Sequence, residues 1–228
     1  MKIIAIIPAR GGSKGVPGKN MKILAGQHLI DHTILFAKES KVFHKIVVSS
    51  DDDKICSHSI KMGVDVIKRP SELAQDGSLV IDAIRYTIKK LEETDYFFDF
   101  VFLLEPTAPI RSKEDLLSAV SALKNNYDSV ATFCEIDTPI GRIWKINDMK
   151  VEPLLSGSDP FLPRQKQPLG YRATGQIYGF KRKNLKIYES NSILQGKVFP
   201  LITNPTMTVD IDTEFDFLIA EYIIKMMK

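Results

Sequence analysis

Short apolar runs alternate with longer segments of helical periodicity from the start of the chain. Residues 3–7 are apolar at every position, which is typical of a strand buried on both faces of a parallel sheet. Residues 29–40 place apolar side chains three and four positions apart, which is typical of an amphipathic helix. This alternation predicts strands at 3–7, 46–50, 64–67, 100–104 and 129–134, and helices at 29–40, 53–62, 78–93 and 113–124.

Strands that alternate with helices predict an α/β fold, with a mostly parallel sheet covered by helices on both faces. The alternation stops at 139–171, a segment rich in proline that holds the single tryptophan. Because this segment is too long for a plain connection, it predicts an arm that leaves the sheet within one domain spanning 1–228. Beyond the arm, the pattern predicts two further strands and a closing amphipathic helix, at 177–180, 208–212 and 215–227.

Composition and charge narrow the class of protein. The chain is 44% hydrophobic and 26% charged with a net charge of +3, which is ordinary for a globular protein and gives no reason to expect nucleic-acid binding. No run approaches the ~20 apolar residues of a membrane span. Cys56 and Cys134 are too few for a disulfide framework and lack the spacing of metal ligands. We therefore expect a cytoplasmic protein that binds a small molecule, with neither nucleic acid nor a membrane as partner.

The loop after the first predicted strand, residues 8–20, combines four glycines with three cations, Arg10, Lys14 and Lys19. Ligands of parallel sheets bind at the carboxyl ends of the strands, and glycine lets the backbone approach an anion closely. The loop therefore predicts a triphosphate site, with a flexible basic loop as the alternative. It is not a Walker A motif, since Asn20 replaces the Ser/Thr, and the Rossmann glycine spacing is absent.

Carboxylates follow two other predicted strands. Asp52 and Asp53 come after the second strand, where acidic residues can equally begin a helix. Asp210 and Asp212 lie two positions apart in a predicted strand, so their side chains share one side, which is costly unless a cation lies between them. This predicts a site for Mg²⁺ or Mn²⁺. The alternative is a helix cap at Asp212 or Thr213 beside a solvated Asp210.

Nucleophilic catalysis by the protein has no support in the sequence. The four histidines form no cluster with the spacing of metal ligands, and no Ser–His–Asp arrangement is visible. A phosphate-binding loop together with an acidic metal site is what nucleotidyl transfer requires, because that reaction needs positioning and charge neutralisation and uses the substrate's own hydroxyl as nucleophile.

Several of these segments resemble the acylneuraminate cytidylyltransferases, the CMP-sialic acid synthetases. The resemblance begins in residues 7–20 and continues in order through 48–51, 69–76, 103–111, 163–165, 171–172 and 210–214. It implies a Rossmann-like nucleotidyltransferase fold. It also implies a reaction in which CTP and the anomeric hydroxyl of a nine-carbon acidic keto-sugar give the CMP-sugar and pyrophosphate, with Mg²⁺.

The resemblance further implies roles for individual residues. Those implied in nucleotide and triphosphate binding are Ala9, Arg10, Gly11, Ser13, Lys14, Lys19 and Asn20. Those implied in the cytidine pocket are Arg69, Asp76 and Ser78. Those implied in binding the sugar and phosphates are Glu105, Arg164, Arg172, Thr174 and Tyr178.

The resemblance also implies that Asp210 and Asp212 are the metal ligands. Together with Arg10 and Lys19 they form the expected catalytic set. Residues 139–171 match the family's dimerisation arm, which implies a homodimer whose arms reach into the neighbouring active site.

The sequence departs from the sialic acid pattern on the sugar side. Glu105 stands where those enzymes usually have Gln, Thr174 stands where they usually have Asn, and Arg142 is the cation nearest to Gly141, where they often have Lys. A carboxylate would repel an acidic sugar unless it hydrogen-bonds a hydroxyl or an amide. We therefore predict a related sugar of legionaminic or pseudaminic type.

The alternatives are a nucleotide with another base, such as GTP, a different sugar, or a non-catalytic binding module for a nucleotide or sugar. The two aspartates retained with Arg10 and Lys19 favour the enzyme.

Overall fold

The computed structural model describes residues 1–185 and 190–227. In these ranges the strands are β1 (Ile3–Pro8), β2 (Ile23–Leu24), β3 (Gln27–His28), β4 (Lys45–Ser50), β5 (Asp65–Lys68), β6 (Phe100–Leu103), β7 (Ser129–Glu135), β8 (Trp144–Asn147), β9 (Lys150–Pro153), β10 (Tyr171–Lys181) and β11 (Val198–Ile202). The α-helices are α1 (Leu29–Ser40), α2 (Asp53–Lys61), α3 (Val80–Glu92), α4 (Lys113–Lys124) and α5 (Glu214–Met226). No helix in the described ranges is long and apolar enough to cross a membrane.

Seven strands form one sheet in the order β11-β7-β10-β6-β1-β4-β5. β1 pairs in parallel with β4 and β6, β4 with β5, and β7 with β11, whereas β10 runs antiparallel to both of its neighbours. The predicted mostly parallel sheet is therefore confirmed, and its architecture is Rossmann-like. The carboxyl ends of β1, β4, β5 and β6 meet at one edge of this sheet, where ligands of such folds bind.

The core lies on both faces of the sheet, as the uniformly apolar β1 predicts. Ile3, Ala5 and Ile7 face one apolar cluster, to which α1, α2 and α4 contribute. Ile4 and Ile6 face the other cluster, to which α3 contributes. Because side chains alternate along a strand, a strand buried on both faces must be apolar throughout. The predicted helices on both faces are confirmed.

One predicted strand is wrong. Within 1–185 and 190–227, residues 208–212 pair with no strand and form a segment that precedes α5. Ile211 is fully buried, but against Val16, Leu24 and α5, and its N–H donates to the carbonyl of Thr107 at 2.8 Å. The edge position beside β7 belongs instead to β11, which the sequence analysis did not predict. The apolar alternation in 208–212 reflects a loop that buries one side chain in a satellite cluster.

The predicted arm leaves the sheet between β7 and β10. β8 and β9 pair as an antiparallel hairpin, and its two connecting residues, Asp148 and Met149, both have positive φ, at 47° and 64°. Positive φ at both central positions is typical of the tight turns that match strand twist. The last residue of the predicted segment, Tyr171, already belongs to β10, which is longer than the predicted strand at 177–180.

Candidate active site

A cavity of about 460 Å³ opens at the carboxyl ends of β1, β4, β5 and β6. We call it the sheet-end cavity. Its walls bring together many of the side chains singled out from the sequence, although these are far apart along the chain. The predicted site residues that line it are Arg10, Ser13, Lys14, Lys19, Asn20, Arg69, Asp76, Ser78, Glu105 and Asp212.

The loop after β1 is shaped by hydrogen bonds to its neighbours. The N–H of Ala9 donates to the carbonyl of Ser49 at 2.9 Å, and the N–H of Gly11 donates to Oδ1 of Asp51 at 3.1 Å. The side-chain amide of Asn20 donates to the carbonyl of Arg10 at 2.9 Å. The amide oxygen of Asn20 is buried without a hydrogen-bond partner in the described part of the chain. Since a buried acceptor without a donor is costly, this oxygen favours a ligand that donates to it.

Two of the predicted cations share one carboxylate across the cavity. Asp76 Oδ1 lies 3.1 Å from Arg10 Nη1, and Asp76 Oδ2 lies 2.7 Å from Lys14 Nζ. The hydrogen bond from Lys14 is the main cause that lowers the pKa of Asp76. Ser78 fixes the same turn, because its hydroxyl donates to the carbonyl of Glu72 at 2.8 Å and accepts from the N–H of Gln75 at 3.1 Å. A bound polyphosphate would compete with Asp76 for both cations.

The third cation, Lys19, joins the glycine-rich loop to residues 208–213. Its side chain is buried, and its Nζ donates to the carbonyl of Ile211 and to Oδ1 of Asp212, the latter at 3.0 Å. The two loops also meet at Gly15, where a Cβ atom would lie 2.2 Å from the carbonyl oxygen of Asp212. A side chain at position 15 is therefore excluded unless the backbone moves. Asp212 is held at the cavity by these contacts rather than by a strand.

Arg69 is a buried cation at the end of β5. Its N–H donates to the carbonyl of Ser50 at 2.9 Å, and its Nε has no hydrogen-bond partner among the described residues. Burial lowers the pKa of the guanidinium, and Arg10 lowers it further, while Asp51 opposes both. Because the side chain lines the cavity, this unsatisfied donor favours a ligand that carries an acceptor, such as a base carbonyl or a phosphate oxygen.

Glu105 follows β6 and lies in an electronegative part of the cavity. Burial raises the pKa of its carboxyl to about 7, Asp210 and Asp212 raise it further, and Arg111 and Lys19 oppose them. Arg111 is partly buried, and desolvation lowers the pKa of its guanidinium to about 9. It donates to the carbonyls of Glu105 and Gln176, the latter at 2.6 Å, and so holds the Glu105 backbone against β10.

Among the described residues, the remaining predicted sugar-side residues, Arg164, Arg172, Thr174 and Tyr178, do not line the sheet-end cavity. Thr174 is buried, and its hydroxyl is within hydrogen-bond distance of Thr132 Oγ1 at 2.7 Å. Arg172 donates to the carbonyl of Thr208 at 3.0 Å, and Arg164 is exposed on the arm. Burial, followed by the charge of Glu105, raises the pKa of Tyr178 to about 12.

Residues 4–225 match the family model described as cytidylyltransferase. The chain belongs to the cytidylyltransferase family. It is 35% identical over 230 residues to the CMP-N,N'-diacetyllegionaminic acid synthase of Legionella pneumophila, an alignment that covers 99% of this chain and 97% of that protein. It is also 32% identical to the N-acylneuraminate cytidylyltransferase of Streptococcus agalactiae, over 96% of this chain and 52% of that longer protein. The resemblance to the acylneuraminate cytidylyltransferases is thereby confirmed.

A solved structure supports the same fold for this cytidylyltransferase. CMP:2-keto-3-deoxy-manno-octonic acid synthetase, determined in complex with CTP, superimposes with a TM-score of 0.73 over 100% of both chains. The sequences are only 15% identical, so this comparison supports the fold alone. The predicted Rossmann-like nucleotidyltransferase fold is confirmed.

Sequence reasoning missed the apolar wall of the cavity in this cytidylyltransferase. Leu73 lines it from the short 3₁₀ turn at Ser71–Ala74, and Leu79, Val80 and Ala83 line it from the start of α3. Leu79 and Val80 are 44% and 37% exposed, and Leu79 occupies the N-cap position of α3 without a side-chain cap. The available signal was the start of the helix, where leucine and valine stand instead of the polar residue that usually caps a helix. Such a wall suits the flat face of a nucleobase.

The carboxylates fit a magnesium ion by their donor chemistry. In the described part of the chain, Asp212 lines the sheet-end cavity and Asp210 does not, and the charges of both raise the pKa of Glu105. Among the described residues, no cluster of three or more His, Cys, Asp or Glu side chains is arranged to hold a metal alone. Mg²⁺ usually takes one or two carboxylates, several waters and the substrate's phosphate oxygens, so a pair of aspartates is a sufficient protein contribution.

Proposed function

We propose that this cytidylyltransferase transfers CMP from CTP to the anomeric hydroxyl of a nine-carbon acidic sugar and releases pyrophosphate. One observation carries the proposal: the sheet-end cavity is lined both by the cations Arg10, Lys14 and Lys19 and by the carboxylates of Asp76, Glu105 and Asp212. One cavity therefore offers cations for a triphosphate and carboxylates for a metal ion and hydroxyl groups. The similarity to a CMP-N,N'-diacetyllegionaminic acid synthase over nearly the whole of both chains agrees with it.

In the proposed reaction, the oxygen of the anomeric hydroxyl forms a bond to the α-phosphorus of CTP. The bond from that phosphorus to the oxygen bridging to the β-phosphate breaks, pyrophosphate leaves, and the hydroxyl proton passes to water. Arg10 and Lys14 leave Asp76 to bind phosphate oxygens, while Lys19 remains between the triphosphate and Asp212. Charge-assisted contacts of this kind hold the leaving group in line and offset the charge that builds up on it.

Arg69 and the apolar residues at the start of α3 are proposed to bind the base. The buried Nε of Arg69 needs an acceptor, which the carbonyl group of cytosine offers. Leu79 and Val80 would cover the face of the ring. A purine triphosphate presents a larger base to the same wall, so the choice of base is a matter of shape as well as hydrogen bonding.

We infer that Asp210 and Asp212 hold Mg²⁺, which supplies charge neutralisation at the phosphates. Replacing either by Asn keeps the shape of the side chain and removes one charge. For Asp210→Asn and Asp212→Asn we therefore expect loss mainly in kcat, with a requirement for more Mg²⁺ and with the fold intact. Activity titrated against Mg²⁺ for both variants checks this. Parental kcat and parental Mg²⁺ dependence in both would overturn the assignment.

A sugar of legionaminic type is favoured over N-acetylneuraminate. Relatives from Legionella pneumophila and Campylobacter jejuni are named CMP-N,N'-diacetyllegionaminic acid synthases, at 35% and 32% identity. Burial and the neighbouring Asp210 and Asp212 raise the pKa of Glu105 to about 7, which favours its protonated form, and a protonated carboxyl can donate to a sugar oxygen without repelling the acid. Thr174 is buried and does not line the described part of the cavity, so its influence on the sugar would act through Gln176 and Thr132.

The decisive experiment measures pyrophosphate release with the four nucleoside triphosphates, each against N,N'-diacetyllegionaminic acid, a pseudaminic acid and N-acetylneuraminic acid. We expect the highest kcat/KM for CTP with the legionaminic acid. A preference for GTP would reassign the base, and a preference for another sugar would reassign the acceptor. Nucleotide binding by calorimetry without pyrophosphate release for any pair would favour the non-catalytic binding module.

We also propose that the enzyme is a homodimer built on the arm at 139–171. Trp144, Ile146, Leu154 and Phe161 are exposed there, at 39%, 68%, 55% and 84%. An apolar patch of this kind is rarely left open to water on a monomer. Burial against a second copy would remove it and would bring the exposed Arg164 of each arm toward the neighbouring cavity, as the family resemblance implies.

A further inference from the structure

The closing helix α5 carries a second exposed apolar surface, separate in sequence from the arm. Phe215, Leu218, Tyr222 and Met226 lie three, four and four positions apart, so they form one line along the helix. Their exposed fractions are 68%, 64%, 67% and 70%. We call these four residues the α5 stripe. The opposite face of α5, through Phe217 and Ala220, is buried against the body of the protein.

The stripe is not needed for the fold of the chain. A surface helix usually buries one apolar face and turns a polar face to water, whereas α5 is apolar on both. The spacing of the stripe is that of residues at contacts between packed helices, whose side chains interdigitate in rows of i, i+3 and i+4. A helix is therefore the complementary partner for this surface.

We propose that the α5 stripe packs antiparallel against the α5 stripe of a second copy of this chain. The stripe is self-complementary in that orientation, because Phe215 then faces Met226 of the second copy and Leu218 faces its Tyr222. Each large side chain meets a different one, and the same contacts repeat on both sides of a two-fold axis, as in most closed dimers. This proposal goes beyond the proposed reaction and does not depend on it.

The charges beside the stripe favour the antiparallel orientation. The first turn of α5 carries Glu214 and Asp216, and the last turn carries Lys225. An antiparallel pair brings the acidic first turn of each helix to the basic last turn of the other, and the helix dipoles oppose each other favourably. A parallel pair would place Glu214 beside its own copy, which costs energy, whereas Glu221 lies near the middle of the stripe and is close to its own copy in either orientation. The ion pairs of Glu214 with Lys22 and of Glu221 with Lys225 remain possible in both cases.

The first test is site-directed cross-linking. In an antiparallel pair, a mixture of Phe215→Cys and Met226→Cys chains, co-expressed and gently oxidised, yields a cross-linked dimer, whereas neither variant alone does. Both native cysteines, Cys56 and Cys134, are buried and give a low background. Ile60→Cys, on the exposed face of α2, is the matched control. Cross-linking of Phe215→Cys with itself, or none in the mixture, would overturn the proposal.

The second test is the mass in solution. The double substitution Leu218→Glu with Tyr222→Glu places charges on both sides of the contact, and we expect it to halve the molar mass measured by light scattering. If the arm also joins two copies, the parent is a tetramer and this variant a dimer; if not, the parent is a dimer and the variant a monomer. The matched control, Ile60→Glu with Leu117→Glu, replaces exposed apolar residues of α2 and α4 and should keep the parental mass.

An unchanged mass for the stripe variant, with a native circular dichroism spectrum, would show that two copies do not meet at α5. Pyrophosphate release is measured on the same samples, so failure of this proposal is separable from failure of the proposed reaction. Cross-linking of Phe215→Cys to a cysteine placed in the arm, as in Phe161→Cys, would show that the arm rather than α5 occupies the stripe, and would also overturn the proposal.

Discussion

Arg10 illustrates how one side chain can be prepared for a ligand by a neighbour. Its guanidinium pairs with Asp76 at 3.1 Å, and both side chains are more than one third exposed, so this pair contributes little to stability. A triphosphate offers several charged oxygens in place of one carboxylate oxygen. The exchange of Asp76 for phosphate therefore favours binding, and Arg10 belongs to the residues on which nucleotide affinity depends.

The prediction at this residue concerns affinity for CTP. A charge-assisted contact is worth about 1.5–3 kcal/mol, so Arg10→Ala should weaken CTP binding ~10- to 150-fold. Isothermal titration calorimetry measures this. Lys124→Ala, an exposed lysine at the end of α4, is the control and should bind CTP like the parent. Unchanged affinity in Arg10→Ala would remove Arg10 from the triphosphate site.

Glu105 gives a prediction about stability and pH. Its pKa is about 7 in the folded protein and near 4.5 in the unfolded chain. Between these values the folded state holds a proton that the unfolded state releases, so the free energy of unfolding falls as the pH rises from about 4.5 to 7. Glu105→Gln removes this penalty, which amounts to at most about 3 kcal/mol.

Urea unfolding of the metal-free and nucleotide-free protein at pH 5, 6, 7 and 8 checks this prediction. The variant should gain stability over the parent progressively up to about pH 7 and hold that gain above it, because both states of the parent are then ionised. Curves for the two proteins that stay parallel over the whole range would contradict the raised pKa.

The sequence allowed the cations after β1 to be predicted as part of the site, because a glycine-rich loop with three cations after a buried strand favours an anion. It did not allow the packing behind them to be predicted. Thr174 lies in a buried network with Thr132 and Gln176, and Arg111 holds three elements together through Thr33, Gln176 and Glu105. These contacts depend on which strands become neighbours, and local sequence carries no record of that.

At the scale of elements, strands buried on both faces were the easiest to predict, and partly exposed segments the hardest. β1 and β6 are apolar at nearly every position. β11 contains Pro200 and lies at the sheet edge, where proline is tolerated, so its pattern is weak. Residues 208–212 have the alternation of a strand, but the backbone there is fixed by Lys19 and Thr107 instead of by a neighbouring strand.

The contact between the glycine-rich loop and this segment yields a prediction. A Cβ atom at Gly15 would lie 2.2 Å from the carbonyl oxygen of Asp212, and a backbone atom cannot move aside like a flexible side chain. Gly15→Ala should therefore separate the loops and lower the free energy of unfolding by about 1–3 kcal/mol, as overpacking does. It should also reduce pyrophosphate release, because Lys19 and Asp212 move apart.

Gly12→Ala is the matched control for Gly15→Ala. It lies in the same loop, and a Cβ atom there meets nothing within 4 Å. Its unfolding free energy, measured by urea denaturation, should equal or slightly exceed that of the parent, since alanine restricts the unfolded chain. Equal stabilities for the two alanine variants would show that the two loops are not in close contact.

At the scale of the whole molecule, the described residues include an apolar surface on the β-hairpin of the arm and another on the helix α5. The sequence predicted the arm because its prolines and its tryptophan interrupt the alternation of strands and helices. It predicted an amphipathic helix at 215–227 and did not reveal the α5 stripe, because the sequence pattern does not show which apolar side chains of a helix stay exposed. The folded chain shows which of them do.

The arm makes a final prediction that uses the single tryptophan. Trp144 is 39% exposed, and its ring lies 6.1 Å from that of Phe161, so assembly through the arm would bury it and shift its emission to shorter wavelength. Dilution should shift the emission back as the mass falls toward 25.7 kDa.

The double variant Ile146→Glu with Phe161→Glu tests the same contact. It should show the long-wavelength emission and the reduced mass at every concentration, because assembly would bury two charges in the contact. Leu117→Glu, on the exposed face of α4, should behave like the parent. Specific activity of the arm variant should fall with its mass if each arm completes the neighbouring site. Parental mass and emission in the arm variant would show that the copies do not meet there.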